Sequence, residues 1–165
     1  MNPTFVIERF FPVRPERLFL AHSNENLLAD WFVPPGAQTI AFDLDFRAGG
    51  SLRFAFEANG GPPIWGRLDY LKVRYPTEIS LIHSLTDANG EIISPLTGSD
   101  WLLRVKTNIA FKVEGAGAKL RTAASLHQAE MSEQGFFVHT WPQLADEYNA
   151  ALDRLGAVVG HPDLQ

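Results

Sequence analysis

Five polar side chains interrupt otherwise apolar strand or helix faces in this sequence, and chemistry would be expected at these positions. His83, for example, shares a predicted strand face with Ile79 and Leu81. The other four are Tyr70, Thr107, Thr122 and Tyr148. A mostly apolar cavity orients its ligand with a few hydrogen-bonding groups of this kind. Alternatively, each group is a core residue bonded to a neighbour or to buried water, and the sequence leaves both interpretations open.

Motifs for enzymatic chemistry are absent from the sequence. The histidines lack the four-residue helical spacing, with an interleaved glutamate, that a zinc protease site requires. No serine lies in a Gly-x-Ser-x-Gly turn, and neither Gly49-Gly50 nor Gly60-Gly61 opens a helix that could cradle phosphate. Because the chain has no cysteine, thiolate catalysis and cysteine-based metal sites are excluded as well. We therefore predict no catalytic residue, no metal and no cofactor.

The composition is that of one ordinary folded domain, residues 1–165, with enough aromatic side chains for a thick core or a lined cavity. Lys and Arg number 14 against 19 Asp and Glu, and no basic stripe is present to bind nucleic acid. No apolar run approaches the ~20 residues of a membrane span, and the N-terminus does not resemble a secretory signal. We expect a cytoplasmic protein that contacts neither nucleic acid nor membrane. The sequence leaves open whether it forms a homodimer.

Alternating apolar residues predict seven strands, with two short helices between the first strand, Thr4–Phe11, and the second. Pro15 in a first turn and Asn24 as an N-cap predict helices that end near Ser23 and Phe32. An antiparallel meander follows, in which residues 91–100 form the longest loop and an Asn-Gly pair marks a tight hairpin. Its predicted strands are Ile40–Phe46, Leu52–Glu57, Ile64–Val73, Glu78–Ser84, Trp101–Glu114 and Lys119–Gln128.

The last helix, predicted from Thr140 to Val158, is the element on which the fold depends. Trp141, Leu144 and Tyr148 recur at three- and four-residue spacing and give it one apolar face. Such a helix needs an apolar surface to lie on. Laid across the concave side of the sheet, it gives an α+β sandwich with room between the two layers.

Pro142 leaves two interpretations of where this helix begins. Inside a helix the proline would cost about 3 kcal/mol, because it removes a hydrogen bond and clashes with the preceding turn. Thr140 and Gln143 have capping-box spacing, which would place Pro142 in the first turn. We therefore predict a start at Thr140. A longer, kinked helix from Ser132 is the alternative.

Six segments, in order over almost the whole chain, match a pattern found in one protein superfamily. The most specific is the turn Asp45–Gly50, which follows the tryptophan-bearing helix, and within it Arg47 is predicted to tie the turn to a carboxylate or a carbonyl. The other segments are Pro15–Phe19 with Ala21, Leu28–Phe32 with Pro34 and Gly36, Gly66 with Pro76–Glu78, Thr86–Gly90, and Leu152–Leu155. Together they resemble the START-like, or SRPBCC, superfamily. Within it, the chain is most similar to the C-terminal domain of the activator of the ninety-kilodalton heat-shock chaperone's ATPase.

The resemblance implies the helix-grip fold of the birch-pollen allergen, in which a seven-stranded antiparallel sheet wraps around a long C-terminal helix. It does not imply one activity, because the superfamily includes lipid carriers, polyketide cyclases, hormone receptors and co-chaperone domains. Three departures from the family pattern stand out. Trp31-Phe32 replaces two tryptophans, Ala48 replaces a proline, and Glu147-Tyr148 replaces a glycine-tryptophan pair on the helix face that would line a cavity.

Residues and resemblance together lead to three functional hypotheses. The first is a non-enzymatic domain that binds an apolar small molecule between the sheet and the last helix. Its predicted cavity-lining residues are Trp31, Phe54, Tyr70, His83, Thr107, Thr122, Trp141, Leu144 and Tyr148. The second, implied by the resemblance alone, is a co-chaperone-like domain that binds a chaperone and stimulates its ATPase. The third is a cyclase- or hydratase-like enzyme that uses His83 and Tyr148, and it requires a partner to orient the base.

Overall fold

The computed structural model describes residues 3–94 and 102–162, which form seven strands and three helices. None of these helices is long and apolar enough to cross a membrane. In chain order the elements are β1 (Thr4–Phe11), α1 (Pro15–Ser23), α2 (Glu25–Phe32), β2 (Gln38–Leu44), β3 (Ser51–Glu57), β4 (Ile64–Arg74), β5 (Glu78–Thr86), β6 (Val105–Glu114), β7 (Gly117–Leu126) and α3 (Met131–Val159).

One antiparallel sheet contains all seven strands, in the order β1-β7-β6-β5-β4-β3-β2. The first strand pairs with the last over its whole length, from Thr4 opposite Ser125 to Phe11 opposite Ala118. Between β3 and β4, Asn59 and Gly60 have φ angles of 56° and 71°, as a tight hairpin turn requires. The prediction of a seven-stranded antiparallel sheet, two short helices before β2 and a long terminal helix is confirmed. This is an α+β helix-grip fold.

The two short helices form where the local sequence signals predict them. Pro15 occupies the first turn of α1, where its missing N–H costs nothing. Asn24 caps α2, and its side-chain oxygen accepts a hydrogen bond from the backbone N–H of Leu27 at 3.1 Å. The indole N–H of Trp31 donates to the carbonyl of Ala21 at 2.9 Å. This buried bond fixes α2 against α1.

The turn between β2 and β3 shows why its sequence is so specific. Gly49 has a φ of 85°, which favours glycine. A Cβ atom on Gly50 would lie 2.1 Å from the carbonyl oxygen of Asp45, so no side chain fits there. The Arg47 guanidinium pairs with the Asp45 carboxylate at 3.0 Å. The predicted contact of Arg47 with a carboxylate is therefore present, but both side chains are largely exposed, and the role of Arg47 in the fold stays a prediction.

The start of β6 differs from the prediction. The strand begins at Val105 rather than at Trp101, because Leu103 has a φ of 46°, which lies outside the extended region. Trp101 itself lies outside the described residues, as do residues 95–100 of the predicted 91–100 loop. The remaining strand ends, apart from those of β2, agree with the prediction within two residues.

The predicted position of β2 was two residues too late. The strand covers Gln38–Leu44, and a register shift lies between Thr39 and Ala41. Because such a shift turns the intervening side chain away, Ile40 is 44% exposed and does not share the inner face as predicted. Phe46 lies beyond the end of the strand but still packs against the core.

The start predicted for the last helix at Thr140 was wrong, and the longer alternative is closer. The helix α3 runs without interruption over Met131–Val159, with Pro142 inside it. The Thr140 hydroxyl does not cap the helix but donates to a carbonyl oxygen one turn earlier, at 3.0 Å. Phe137 and Trp141 pack against β1, and this tertiary contact stabilises the first part of the helix despite the proline. Pro142 lies on the exposed side, where water can hydrate the carbonyl that lacks its amide partner.

Candidate ligand-binding site

The interior of the described chain divides into two hydrophobic clusters rather than one. The main cluster packs the inner face of the sheet against α1, α2 and the C-terminal half of α3. The minor cluster consists of the buried residues Ala124, Leu126 and Phe137, with partly buried neighbours that include Val105 and Trp141. A main core with a smaller satellite cluster is usual for a single domain. The boundary between the two clusters is a candidate site because predicted polar site residues lie there.

Two of the predicted site residues lie on this boundary. Thr107 is paired in the sheet with Leu81 of the main cluster on one side and with Ala124 of the minor cluster on the other. His83 is placed in the same way, between Leu68 of the main cluster and Val105 of the minor cluster.

On α3 the boundary falls between Trp141, which packs in the minor cluster, and Tyr148, which packs against the main cluster. The helix residues between them on this side are Leu144 and Ala145. We call the boundary the seam, and we define it by Thr107, His83 and Leu144–Ala145.

His83 offers unfilled hydrogen-bonding positions in an aromatic environment. Its ring lies 5.8 Å from the ring of Phe54 and 6.5 Å from the ring of Phe32, measured between centroids. Among the described residues, no hydrogen bond is made by either ring nitrogen, although the side chain is partly buried. Burial lowers the pKa of His83 from 6.5 to about 4, so that the ring is neutral near pH 7. A neutral imidazole presents one donor and one acceptor.

Thr107 and Leu144 are the other seam residues that the sequence predicted. Thr107 is partly buried, and within the part of the chain that the structure describes its hydroxyl has no hydrogen-bond partner. Leu144 is 37% exposed and belongs to neither cluster, so its position is closer to the surface than predicted. The helix residue beside it, Ala145, is half-buried and small.

Thr122 and Tyr148 form a closed pair next to the seam. Their hydroxyl oxygens are 2.7 Å apart, and Thr122 is only 4% exposed. Burial raises the pKa of Tyr148 to about 12, against the smaller opposing effects of the Thr122 hydrogen bond and the Arg9 charge. Arg9 on β1 binds α3 directly, through an ion pair with Asp153 and a hydrogen bond to the Asn149 side chain at 3.1 Å. These contacts fix the C-terminal half of α3 to the sheet.

The remaining predicted site residues lie in the packed interior. Trp31 is 4% exposed and its N–H is already bonded. Phe54 is 3% exposed and forms the wall beside the His83 ring. Tyr70 is 3% exposed, packs edge-on against Phe46, and has its pKa raised by burial. Trp141 stacks on a β1 phenylalanine at 4.7 Å, within the minor cluster.

The two groups proposed for acid–base chemistry are not brought together. Thr122, whose hydroxyl contacts Tyr148, lies on β7, two strands away from β5. Across the sheet it is in register with Ile79, which is four residues along β5 from His83. From strand rise and spacing, His83 and Thr122 are therefore roughly 15 Å apart. His83 also lacks an orienting partner among the described residues. An enzyme that uses His83 and Tyr148 on one substrate atom is not favoured by this geometry.

Neither metal-binding clusters nor surface depressions in the described chain indicate a different site. Residues 3–94 and 102–162 contain no group of three or more His, Asp or Glu side chains that could hold a metal ion. A depression of about 540 Å³ lies on the outer face of the sheet, lined by charged residues such as Glu8 and Lys119. Another, of about 360 Å³, lies beside Phe19 and Tyr75. Neither is lined by a seam residue.

Sequence reasoning missed two residues that shape the site. Phe32 ends α2 and contacts both Phe54 and His83, with 4.9 Å between the phenylalanine rings. No sequence signal placed it there, because the contact depends on how α2 lies on the sheet. Arg9 could have been found, since it shares the inward face of β1 with Phe5 and Ile7. A charged side chain on such a face needs a partner, and α3 supplies it.

Comparisons with known proteins identify the family of the chain. A sequence model of the family described as Activator of Hsp90 ATPase homolog 1-like protein matches residues 12–153. No curated protein matches the chain.

Solved structures similar to this chain include three bacterial proteins. Protein Ms6760 from Mycobacterium smegmatis is 15% identical, with a TM-score of 0.76 over 94% of this chain and 89% of that one. Protein CV1439 from Chromobacterium violaceum is 21% identical, with a TM-score of 0.69 over 96% and 97%. A protein from Arthrobacter aurescens is 16% identical, with a TM-score of 0.76 over 97% and 87%. At these identities the structures show the fold alone.

The family match covers most of the chain, and the solved structures share its fold over nearly their whole length. The START-like resemblance stated from the sequence is therefore confirmed. The chain belongs to the Activator of Hsp90 ATPase homolog 1-like protein family, within the START-like superfamily.

Proposed function

We propose that this domain binds an apolar small molecule at the seam, between the sheet and α3. The observation that carries the proposal is the pair of partly buried polar side chains, His83 and Thr107, that have no hydrogen-bond partner in the described chain. Both lie where the two hydrophobic clusters meet. An apolar ligand with a polar group would bridge the clusters and fill those hydrogen-bonding positions.

The physical chemistry of the seam supports an apolar occupant. Phe32 and Phe54 form an aromatic wall beside His83. The polar atoms of His83 and Thr107 are not fully enclosed, so a ligand gains the net value of each hydrogen bond that it makes to them, about 0.5–1.5 kcal/mol. Ala145 lies one helical turn after Trp141, is half-buried and carries only a methyl group, so a larger side chain there would fill space beside the sheet. A binding domain needs no acid or base with an orienting partner, and none has been found at the seam.

Dye binding to a blocked variant tests this proposal. The wild-type chain is titrated with Nile red, an uncharged environment-sensitive dye, while fluorescence and melting temperature are followed. Ala145→Phe should fill the seam and weaken binding at least about tenfold, which corresponds to about 1.4 kcal/mol. Ala150→Phe is the matched control, because it places the same side chain at an exposed position of the same helix. It should bind as the wild type does.

Two results would contradict the proposal. One is the absence of saturable dye binding and of any rise in melting temperature in the wild-type protein. The other is undiminished binding by a folded Ala145→Phe protein, which would place the dye elsewhere. If that variant does not fold, Thr107→Met blocks the seam from the sheet side and serves the same test.

A second proposed function, stimulation of a chaperone ATPase, is supported by the family match over residues 12–153. It is tested by measuring the ATPase rate of the ninety-kilodalton heat-shock chaperone with increasing amounts of this protein. A saturable rise in rate, retained by Ala145→Phe, would favour a protein-interaction role that does not use the seam. An unchanged rate together with no co-elution would exclude it.

A further inference from the structure

We infer that the seam accepts uncharged ligands that carry a hydroxyl group, and that it rejects carboxylates of the same size. This inference deepens the proposed function and rests on it. It concerns which polar group a ligand presents to His83 and Thr107, and it follows from the charges and hydrogen-bonding positions around those two side chains.

Among the described residues, the sheet partners of the seam residues provide no cation for an anionic ligand. The sheet neighbours of His83 and Thr107 are Leu68, Leu81, Val105 and Ala124, all of them uncharged. The aromatic wall beside the His83 ring consists of Phe32 and Phe54. Because burial keeps the imidazole neutral near pH 7, His83 itself does not supply the missing positive charge.

The partly buried arginines of the described chain are engaged elsewhere. Arg104, which precedes Val105, donates to the side-chain oxygen of Gln128 at 3.4 Å. Arg17 donates to the His161 carbonyl and Arg67 to the Asp69 carboxylate. Arg9 is held by Asp153 and Asn149 at the edge of the sheet. Arg154 donates its Nε–H to the carbonyl of Trp31 at 3.0 Å, at the end of α2. Residues 95–101, which the structure does not describe, contain no lysine or arginine in the sequence. A carboxylate at the seam would therefore be buried without a paired cation, which is strongly unfavourable.

The hydrogen-bonding positions match a hydroxyl group. His83 and Thr107 lie on neighbouring strands as diagonal neighbours, since Leu81 pairs with Thr107 and His83 pairs with Val105. Backbones in this relation are about 7–8 Å apart, and side chains can reach one common atom between them. A hydroxyl can donate to the free imidazole nitrogen and accept from a second donor. An ether or a hydrocarbon cannot do both.

A series of naphthalene ligands separates these possibilities, because the ring system stays constant while the polar group changes. Affinities of 2-naphthol, 2-naphthoate and 2-methylnaphthalene are measured at pH 7.4 by displacement of Nile red. The wild-type protein should bind 2-naphthol at least about tenfold more tightly than 2-naphthoate. It should also prefer 2-naphthol to 2-methylnaphthalene once the affinities are corrected for their different partitioning from water.

Substitutions at His83 test whether this side chain causes the preference for a hydroxyl group. His83→Leu should remove the preference for 2-naphthol over 2-methylnaphthalene while leaving hydrocarbon binding intact. His83→Lys should move the preference towards 2-naphthoate. The matched control is Ser84→Ala, because Ser84 is a buried polar residue on the opposite face of the same strand. It should keep the wild-type order of affinities.

The outcomes distinguish this inference from the proposed function. If naphthalenes bind the wild type but naphthoate binds as tightly as naphthol, the inference is wrong and the binding function stands. Persistence of the hydroxyl preference in folded His83→Leu protein also overturns it. If none of the three compounds displaces the dye and the dye itself does not bind, the proposed function fails and the inference fails with it.

Discussion

Acid should destabilise this protein through His22, and one substitution should remove the effect. His22 lies on α1 and is 5% exposed, with its ring 4.8 Å from Trp31 and 5.1 Å from Phe111. The Nδ1 atom is 2.7 Å from the Leu18 carbonyl, so it carries the hydrogen and donates. The Nε2 atom is buried without a partner among the described residues. A proton added there would place a charge in an aromatic pocket.

The size of the effect follows from the pKa of His22. Burial lowers this pKa from 6.5 to about 4, although the Leu18 hydrogen bond acts in the opposite direction. Above pH 6.5 the imidazole is neutral in both the folded and the unfolded chain. As the pH falls below 6.5 the unfolded chain takes up the proton first, so stability is lost until the pH reaches about 4. The lowered pKa corresponds to a maximal loss of about 3 kcal/mol.

The variant His22→Leu isolates this contribution. Leucine fills a similar volume and removes the unsatisfied nitrogen, so at pH 7.5 its free energy of unfolding should lie within about 1 kcal/mol of the wild-type value. Urea unfolding of both proteins at pH 7.5, 6, 5 and 4.5 gives the difference in stability at each pH. Carboxylates and His83 contribute equally to both proteins and cancel in this difference. His139→Gln, at an exposed position on α3, is the control.

The expected result is that the wild type loses about 2–3 kcal/mol relative to His22→Leu between pH 7.5 and 4.5, while His139→Gln parallels the wild type. A constant difference between wild type and His22→Leu would refute the reasoning, because it would mean that His22 titrates in the folded protein as it does in the unfolded chain. A wild type that gains stability relative to the variant on acidification would refute the sign.

Three further substitutions test individual contacts by urea unfolding. Gly66→Ala should cost about 1–3 kcal/mol, because its Cβ would lie 2.2 Å from the Phe54 ring, and an unchanged stability would contradict that contact. Gly135→Ala should instead stabilise the protein by about 0.5–1 kcal/mol, since nothing lies within 4 Å of its Cβ in α3, and destabilisation would show a hidden contact. Tyr148→Phe should cost about 1–3 kcal/mol by leaving the Thr122 hydroxyl buried and unpaired. Adding Thr122→Val should recover much of that loss, and purely additive losses would exclude the bond.

Local sequence signals were sufficient for most of the architecture. Asn24 caps a helix and Asn59-Gly60 turns a hairpin through interactions that involve only nearby residues. Strand alternation is also local, because it follows from the pleat of the backbone. These signals agree with one another along the chain, and so the six-stranded meander from β2 to β7 could be predicted from local sequence, whereas the pairing of β1 with β7 is a long-range contact that local signals do not give.

The errors arose where distant contacts override local preference. Thr140 and Gln143 have the spacing of a helix start, but packing of Phe137 on Phe5 continues α3 backwards by nine residues to Met131. Similarly, the apolar alternation through Leu103 predicts a strand, yet its φ of 46° shows that the chain turns there. No neighbouring residue announces either outcome, because each depends on a contact between segments far apart in sequence.

Of the three errors, which include the shifted position of β2, the starts of α3 and β6 border the seam. The early part of α3 and the beginning of β6 both contribute to the minor cluster, together with β1 and β7, and this cluster contains only three buried residues in the described chain. The C-terminal half of α3, in contrast, is fixed by Arg9, by the Thr122–Tyr148 pair and by the main cluster. Natural sequences are locally consistent with their fold except where function requires otherwise. The N-terminal part of α3, which packs in the smaller cluster, is therefore the part of the helix that the proposed ligand would displace at the lowest cost in free energy on reaching His83 and Thr107, whose side chains have no hydrogen-bond partner among the described residues.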